Sequence, residues 1–149
     1  DFRIKLADIN PGQILFRSQV SGDKLITIQT AEYGSVEIVI NDDGNIERWN
    51  SDPGLINVYG EHCVTVTVDN GPKIIQFVVD GNVCNGRNFR QYGWSRYEAD
   101  LEKISFDYIE LGDMSKGQIR PKGPVTGLRI YDRPLMNTEI IGNHRFYEN

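Results

Sequence analysis

Residues 87–102 gather groups that suit two kinds of chemistry. The first is the acidic run Glu98-Ala99-Asp100-Leu101-Glu102. On a strand, its E-x-D-x-E spacing puts three carboxylates on one face and turns Ala99 and Leu101 away. Two carboxyls about 5–5.5 Å apart are what a retaining glycosidase needs, one to attack and one to donate a proton. Such a pair works deep in a cleft among bulky apolar neighbours, whereas Ala99 is small and Lys103 follows at once. A solvated loop is the simpler account of Glu98, Asp100 and Glu102.

The second kind is recognition. Arg87, Phe89, Arg90, Gln91, Tyr92, Trp94 and Arg96 follow a strand and a Gly-containing turn, so they read as a loop rather than as one regular face. A sugar presents apolar C–H faces ringed by hydroxyls, so its pocket wants a flat ring beside forked donors and carboxylate or amide acceptors. Tyr92 or Trp94 could supply the platform, with Asp80, Arg87, Arg90, Gln91 and Arg96 making the hydrogen bonds. The competing account has Trp94 plugging the end of the core and the arginines pairing with nearby acids. Phe89 suits the core, and Trp49, which precedes the turn Asp52-Pro53-Gly54, suits either a second platform or, better, a lid over the core.

Other chemistries find less support. Asp42-Asp43-Gly44-Asn45 with Glu47 offers hard oxygens for calcium, yet it lacks a D-x-D-x-D-G loop and fits a hairpin turn needing positive φ. Calcium assembled from separate loops stays open, and no other cofactor is expected. There is no Gly-rich phosphate cradle, no H-E-x-x-H and no G-x-S-x-G, so nucleophilic catalysis by a triad has no basis in the sequence. Cys63 and Cys84 cannot form a zinc cage on their own, and His62 and His144 are the only histidines to help, so a structural metal–sulfur site is not expected.

The elements that must position these groups are strands. Apolar and polar residues alternate with period two between Gly, Asn, Asp and Pro clusters, which predicts strands at 2–7, 13–19, 24–30, 35–41, 45–49, 61–69, 73–80, 103–111 and 124–132. Their spacing predicts an all-β, two-sheet antiparallel sandwich of jelly-roll type. The tail departs from it, with Asn137 capping a short C-terminal helix that carries Glu139, Ile140, Ile141 and His144. Around Asn70-Gly71, pairing Val68 with Lys73 would set Val64 against Phe77 and Val66 against Ile75 on one apolar face. A second turn at Asp80-Gly81 then lays Cys84 beside Phe77, on the face opposite Cys63, which predicts two free thiols.

A chain of 149 residues fits one domain, spanning 1–149, in which folding hides roughly 68–70% of the unfolded surface. With 21 acids against 16 bases the net charge is −5, which argues against a nucleic-acid partner. No apolar run reaches the ~20 residues a membrane helix needs. Asp1 begins without a leader and Phe2-Arg3-Ile4-Lys5-Leu6 already alternates, so the segment is expected to belong to a larger multidomain protein whose other parts carry the address.

Two stretches carry a resemblance. "GEHCVTVTVDNGPKIIQFVVDGNVCNG" and "GPVTGLRIYDRPLMNTEIIGN" resemble the second half of laminin-G-like, concanavalin A-like jelly-roll modules over about residues 60 to 142. His62, Val64 and Val66 match the first element of that pattern, Asp80-Gly81 the second, and Gly127, Leu128, Arg129, Ile130, Tyr131, Arg133, Leu135 and Glu139 the third. "WNSDPGL" and "FRQYGW" further resemble a subgroup appended to secreted bacterial glycoside hydrolases, and the E-x-D-x-E run is similar to the catalytic strand of concanavalin-like glucanases. The resemblance implies a curved sandwich that works outside the cell, binds carbohydrate rather than cleaving it, and in some members uses calcium. The strand which the pattern expects before residue 1 is missing, so the N-terminal edge would be completed from outside this chain. The expectation is therefore a non-catalytic carbohydrate-binding module held beside the catalytic domain of its parent chain. Its alternatives are a structural spacer packing on that domain and a glucanase-like hydrolase using Glu98, Asp100 and Glu102.

Overall fold

In the computed structural model, which describes residues 1–19, 24–86, 94–101, 109–110 and 125–148, the period-two alternation becomes eleven strands and one helix. In chain order these are β1 (Phe2–Ile4), β2 (Ile14–Gln19), β3 (Leu25–Ala31), β4 (Ser35–Asp42), β5 (Asn45–Asn50), β6 (His62–Asp69), β7 (Ile74–Val79), β8 (Asn82–Val83), β9 (Trp94–Arg96), β10 (Ile109–Glu110), β11 (Val125–Leu128) and α1 (Asn137–Glu148). They form a six-stranded antiparallel sheet in the order β11-β1-β6-β7-β8, with β9 also on β7, and a five-stranded sheet in the order β10-β2-β3-β4-β5.

The core lies between the sheets. Phe2, Ile4, Val64, Ile75, Phe77 and Val79 meet Ile26, Ile28, Val36, Ile38 and Ile40, all buried in one cluster. A register shift between Ile14 and Phe16 accompanies the burial of both Leu15 and Phe16, which strict alternation would put on opposite faces. The hairpin of β6 and β7 pairs Val68 with Ile75, Val66 with Phe77 and Val64 with Val79, two residues away from the register the sequence suggests. The cause is Lys73, which adopts a left-handed φ of 57° and extends the turn. A slip of two preserves which side chains share a face. Cys84 accordingly donates its N–H to Phe77 O and joins the core, while Cys63 lies on the other face, and both thiols are free.

β1 is not an edge. It is hydrogen-bonded to β6 on one side and to β11 on the other, so the partner expected from outside the chain is supplied by residues 125–128. The "WNSDPGL" stretch is structural. Asp52 is buried and accepts the backbone N–H groups of Asn85 and Gly86 at 3.1 and 2.8 Å, tying the loop after β5 to the one after β8. Beside it, Gly34 holds φ +62°, and a Cβ there would lie 2.5 Å from Ile56 O, so the turn accepts only glycine.

The helix covers the outer side of the six-stranded sheet, where Leu135 and Ile140 pack with Tyr131 on Val78. Its N-cap is Met136 rather than Asn137: Met136 O accepts the N–H of Ile140, and Glu139 reaches back to the Met136 N–H at 2.8 Å. Arg133 grips both oxygens of Glu139 at 2.9 and 2.7 Å, which explains the spacing of Arg133, Leu135 and Glu139 in the sequence. No helix of the described residues is long and apolar enough to cross a membrane.

The Arg133 guanidinium, helped by the Met136 N–H, pulls the Glu139 carboxyl down from 4.5 to about 2. A depressed carboxyl stabilises the fold above its unfolded pKa and loses that contribution as pH falls through the folded value. Thermal melts should therefore show Glu139→Gln less stable than wild type at neutral pH, with the difference closing between about pH 4.5 and about pH 2. A pH-independent difference would contradict the assignment.

Candidate functional site

Residues 97–101 belong to neither sheet, yet Tyr97, Ala99 and Leu101 are buried in the core while Glu98 and Asp100 face outward. The Tyr97 N–H donates to Lys73 O at 3.1 Å, and the backbone that follows finds its partners in side chains. Glu47 accepts the N–H of Glu98 at 3.0 Å and of Ala99 at 2.7 Å, and Asp42 accepts that of Asp100 at 3.0 Å. Lys73 donates to the carbonyls of Glu98 and Ala99 at 3.0 and 3.2 Å, and Lys24 bridges Asp100 O at 2.7 Å and Asp42 at 3.1 Å. These bonds, led by that to the Asp100 N–H, hold the Asp42 carboxyl below its usual range.

This clamp takes in residues of two of the sequence candidates. Glu98 and Asp100 do share a face, as the spacing predicts, but the face is exposed rather than enclosed in a cleft; Glu102 lies outside the described residues. Asp42 and Glu47, the candidate calcium ligands, hold amides and an ammonium instead. Asp43 and Gly44 take φ of 50° and 96° in a hairpin turn, closed by Gly44 N–H on Asn41. Among the described residues no three His, Cys, Asp or Glu side chains converge to hold a metal.

The clamp also fixes the edge strand β5. Glu47 reaches the 97–101 segment, and Trp49, partly buried against the core, meets Tyr97 edge-on with ring centroids 6.5 Å apart. Because neighbours on a strand point to opposite faces, Ile46 and Arg48 must project from the outer side of the five-stranded sheet. There they border a shallow depression of about 370 Å³, shared with Gly12, Ile14, Arg17, Leu25, Thr27, Gln29, Val39 and Asn41. Register builds this set: Arg17 pairs with Thr27, Thr27 with Val39, and Val39 with Arg48 across four strands. At one end Gln29 stands opposite Glu37 and donates to it at 2.6 Å. Arg48 Nη1 reaches the same Glu37 oxygen at 3.1 Å while its side chain stays 53% exposed, and Glu37 is only 13% exposed. Glu110 occupies the register position opposite Arg17. Two guanidinium forks, an amide and an anchored carboxylate thus surround a floor of Leu25, Val39 and Ile46, a surface that can receive a ring with an apolar face and polar edges.

Of the residues singled out from the sequence, Asp80, Trp94 and Arg96 are among those described. Arg87, Arg90, Gln91 and Tyr92 are outside the described residues. Trp94 and Arg96 form β9, at register positions opposite Gln76 and Ile74 on the six-stranded sheet; Arg96 is exposed. Asp80, at φ 49°, spends its carboxylate on structure: one oxygen accepts the Cys63 N–H at 2.8 Å and the other the His62 Nδ1–H at 2.7 Å. His62 in turn accepts the Asn57 N–H through Nε2 at 3.1 Å, so the buried imidazole is a neutral strut. Arg17, Gln29, Glu37 and Arg48 were missed by the sequence reading because they are scattered over four strands. The signal was present in the Asp43-Gly44 turn, whose register carries Val39 beside Arg48.

No family model matches the chain, and no curated protein matches it. Solved structures do. The CBM40 module of the Ruminococcus gnavus IT-sialidase, solved bound to α2,3-sialyllactose, superposes with a TM-score of 0.70 at 18% identity, over 96% of this chain and 79% of that one. The same module bound to α2,6-sialyllactose gives 0.68 at 18% identity, over 95% and 79%. A heptameric SAP-like pentraxin from Limulus polyphemus gives 0.59 at 11% identity, over 94% of this chain and 65% of that one. The fold is a lectin-like jelly-roll sandwich. At such identities the likeness fixes architecture and leaves the ligand to the side chains.

If the clamp holds β5 in register, Glu47→Ala should cost about 2 kcal/mol in urea unfolding and remove exchange protection from the amides of Glu98 and Ala99. Unchanged stability with protected amides would show that the segment is held by its apolar side chains alone.

Proposed function

We propose that this domain is a non-catalytic carbohydrate-binding module, and that its ligand lies on the outer side of the five-stranded sheet against Arg17, Gln29, Glu37 and Arg48. The observation that carries the reading is the pairing of an exposed guanidinium with an anchored carboxylate beside a small apolar floor. A carboxylate-bearing sugar fits these groups. Its carboxylate can take forked N–H donors from Arg48 and Arg17, its ring C–H face can rest on Val39 and Ile46, and a hydroxyl or amide N–H can donate to Glu37. The acidic trisaccharides bound by the Ruminococcus gnavus module make this class of ligand the first to try. A role in holding a parent glycoside hydrolase near its substrate outside the cell goes with this reading, as does contact with that enzyme's catalytic domain.

A shallow site with a few exchanged hydrogen bonds supports affinities of about 10 μM to 1 mM. Titration calorimetry of wild type against acidic and neutral glycans should give binding in that range, strongest for the acidic ones. Arg48→Ala should weaken it at least about tenfold with an unchanged melting temperature, because the side chain is exposed. Binding that survives Arg48→Ala but disappears in Arg90→Ala would move the site to the 87–96 segment, and no binding to any glycan would remove the reading.

A further inference from the structure

Tyr33 is held in a conformation that its side chain does not justify. It sits in the turn between β3 and β4 with φ 58°, a left-handed conformation that is unusual for a bulky aromatic residue, and its ring is 78% exposed. Among the described residues, three other non-glycine residues share the left-handed region, and each fits its place. Asp43 opens an Asp-Gly hairpin turn, Lys73 reaches the carbonyls of Glu98 and Ala99, and Asp80 holds His62 and the Cys63 N–H. The Tyr33 ring packs on nothing comparable, and its hydroxyl has no described hydrogen-bond partner, while its backbone is pinned. Tyr33 O accepts the Gly54 N–H at 2.7 Å, and Gly34 O accepts the Ile56 N–H at 2.9 Å. Glycine or asparagine would serve the turn with less strain. A strained, solvent-facing aromatic on a fixed backbone points to a ligand.

Its place in the sheet says which. Gln29 lines the end of the depression and stands opposite Glu37, and the strands run from there through the pairs Thr30–Val36 and Ala31–Ser35 into the turn. At about 3.3 Å per residue, Tyr33 lies roughly 10–13 Å along the sheet from that pair, the reach of a short oligosaccharide. The adjoining loop presents a second ring, Tyr59, at 93% exposure, on a backbone fixed by Asn57 N–H to His62 and Tyr59 N–H to Asn57.

We infer that Tyr33 forms an extension subsite, a stacking platform for the sugars that follow the one seated between Arg48 and Gln29, with Tyr59 flanking it. This inference rests on the reading of the outer face as a glycan site. Stacking on one exposed ring should improve affinity by about tenfold.

The experiment compares free N-acetylneuraminic acid with α2,3-sialyllactose by calorimetry on wild type, Tyr33→Asn and Tyr33→Phe. Wild type should bind the trisaccharide about tenfold more tightly than the monosaccharide. Tyr33→Asn should erase that advantage and leave the monosaccharide affinity as it was, while Tyr33→Phe keeps the advantage. Tyr33→Asn should also melt no lower than wild type, since it relieves strain. An advantage that survives Tyr33→Asn overturns the extension subsite while the module reading stands. Absence of binding to either sugar by wild type overturns the extension subsite, and absence of binding to any glycan overturns the module reading with it.

Discussion

Three backbone N–H groups, those of Glu98, Ala99 and Asp100, must find acceptors although their segment pairs with no strand. Burying Tyr97, Ala99 and Leu101 draws this stretch against the core, where amides without partners would be costly. Carboxylates from the β4–β5 hairpin meet the need, and lysines from the other side take the carbonyls. The exchange works in both directions. The segment gains hydrogen bonds, and β5, which among the described residues has a backbone partner only in β4, gains an anchor on its other edge. Since a slip of one residue would turn every side chain of β5 over, anchoring Glu47 and Trp49 on one face also determines that Ile46 and Arg48 appear on the other.

The two sheets then differ in what they can do. The six-stranded sheet is closed on its outer side by α1, held down by Leu135 and Ile140 and oriented by the Arg133–Glu139 pair. No described element covers the outer side of the five-stranded sheet along β3, β4 and β5, and its polar residues stand across the strands in register with one another. Fixed strands are a good support for a weak site, because few rotamers remain to be frozen when a sugar arrives. Gln29 and Arg48 both point at Glu37, which orients the exposed guanidinium before any ligand is present.

Much of this architecture was legible in the sequence. Strands β2 to β7 lie within one residue of the predicted spans, although β2 breaks the alternation at Leu15 and Phe16. The opposed faces of Cys63 and Cys84 followed from parity alone. Where the reading departed, a tertiary contact had overridden a local rule: Lys73 left its strand to reach the 97–101 carbonyls, and Glu139 reached past Asn137 to cap the helix through Met136. The acidic residues were harder. Glu98 and Asp100 drew notice for their spacing, whereas Asp42 and Glu47, which carry the structural task, read as a turn with spare oxygens. Their partners are backbone amides more than fifty residues away, and amides leave no mark in a sequence.

The candidate site was less legible than the fold, for a related reason. Arg87 to Arg96 form a cluster in sequence, while Arg17, Gln29, Glu37 and Arg48 form one only in register. The measurement that separates them is a two-dimensional amide and arginine-side-chain NMR titration with α2,3-sialyllactose. The account predicts that the perturbed signals are those of Arg48, Val39, Thr27 and Gln29, with the amides of residues 94–96 unmoved. Shifts confined to residues 87–96 with the five-stranded sheet silent would contradict it.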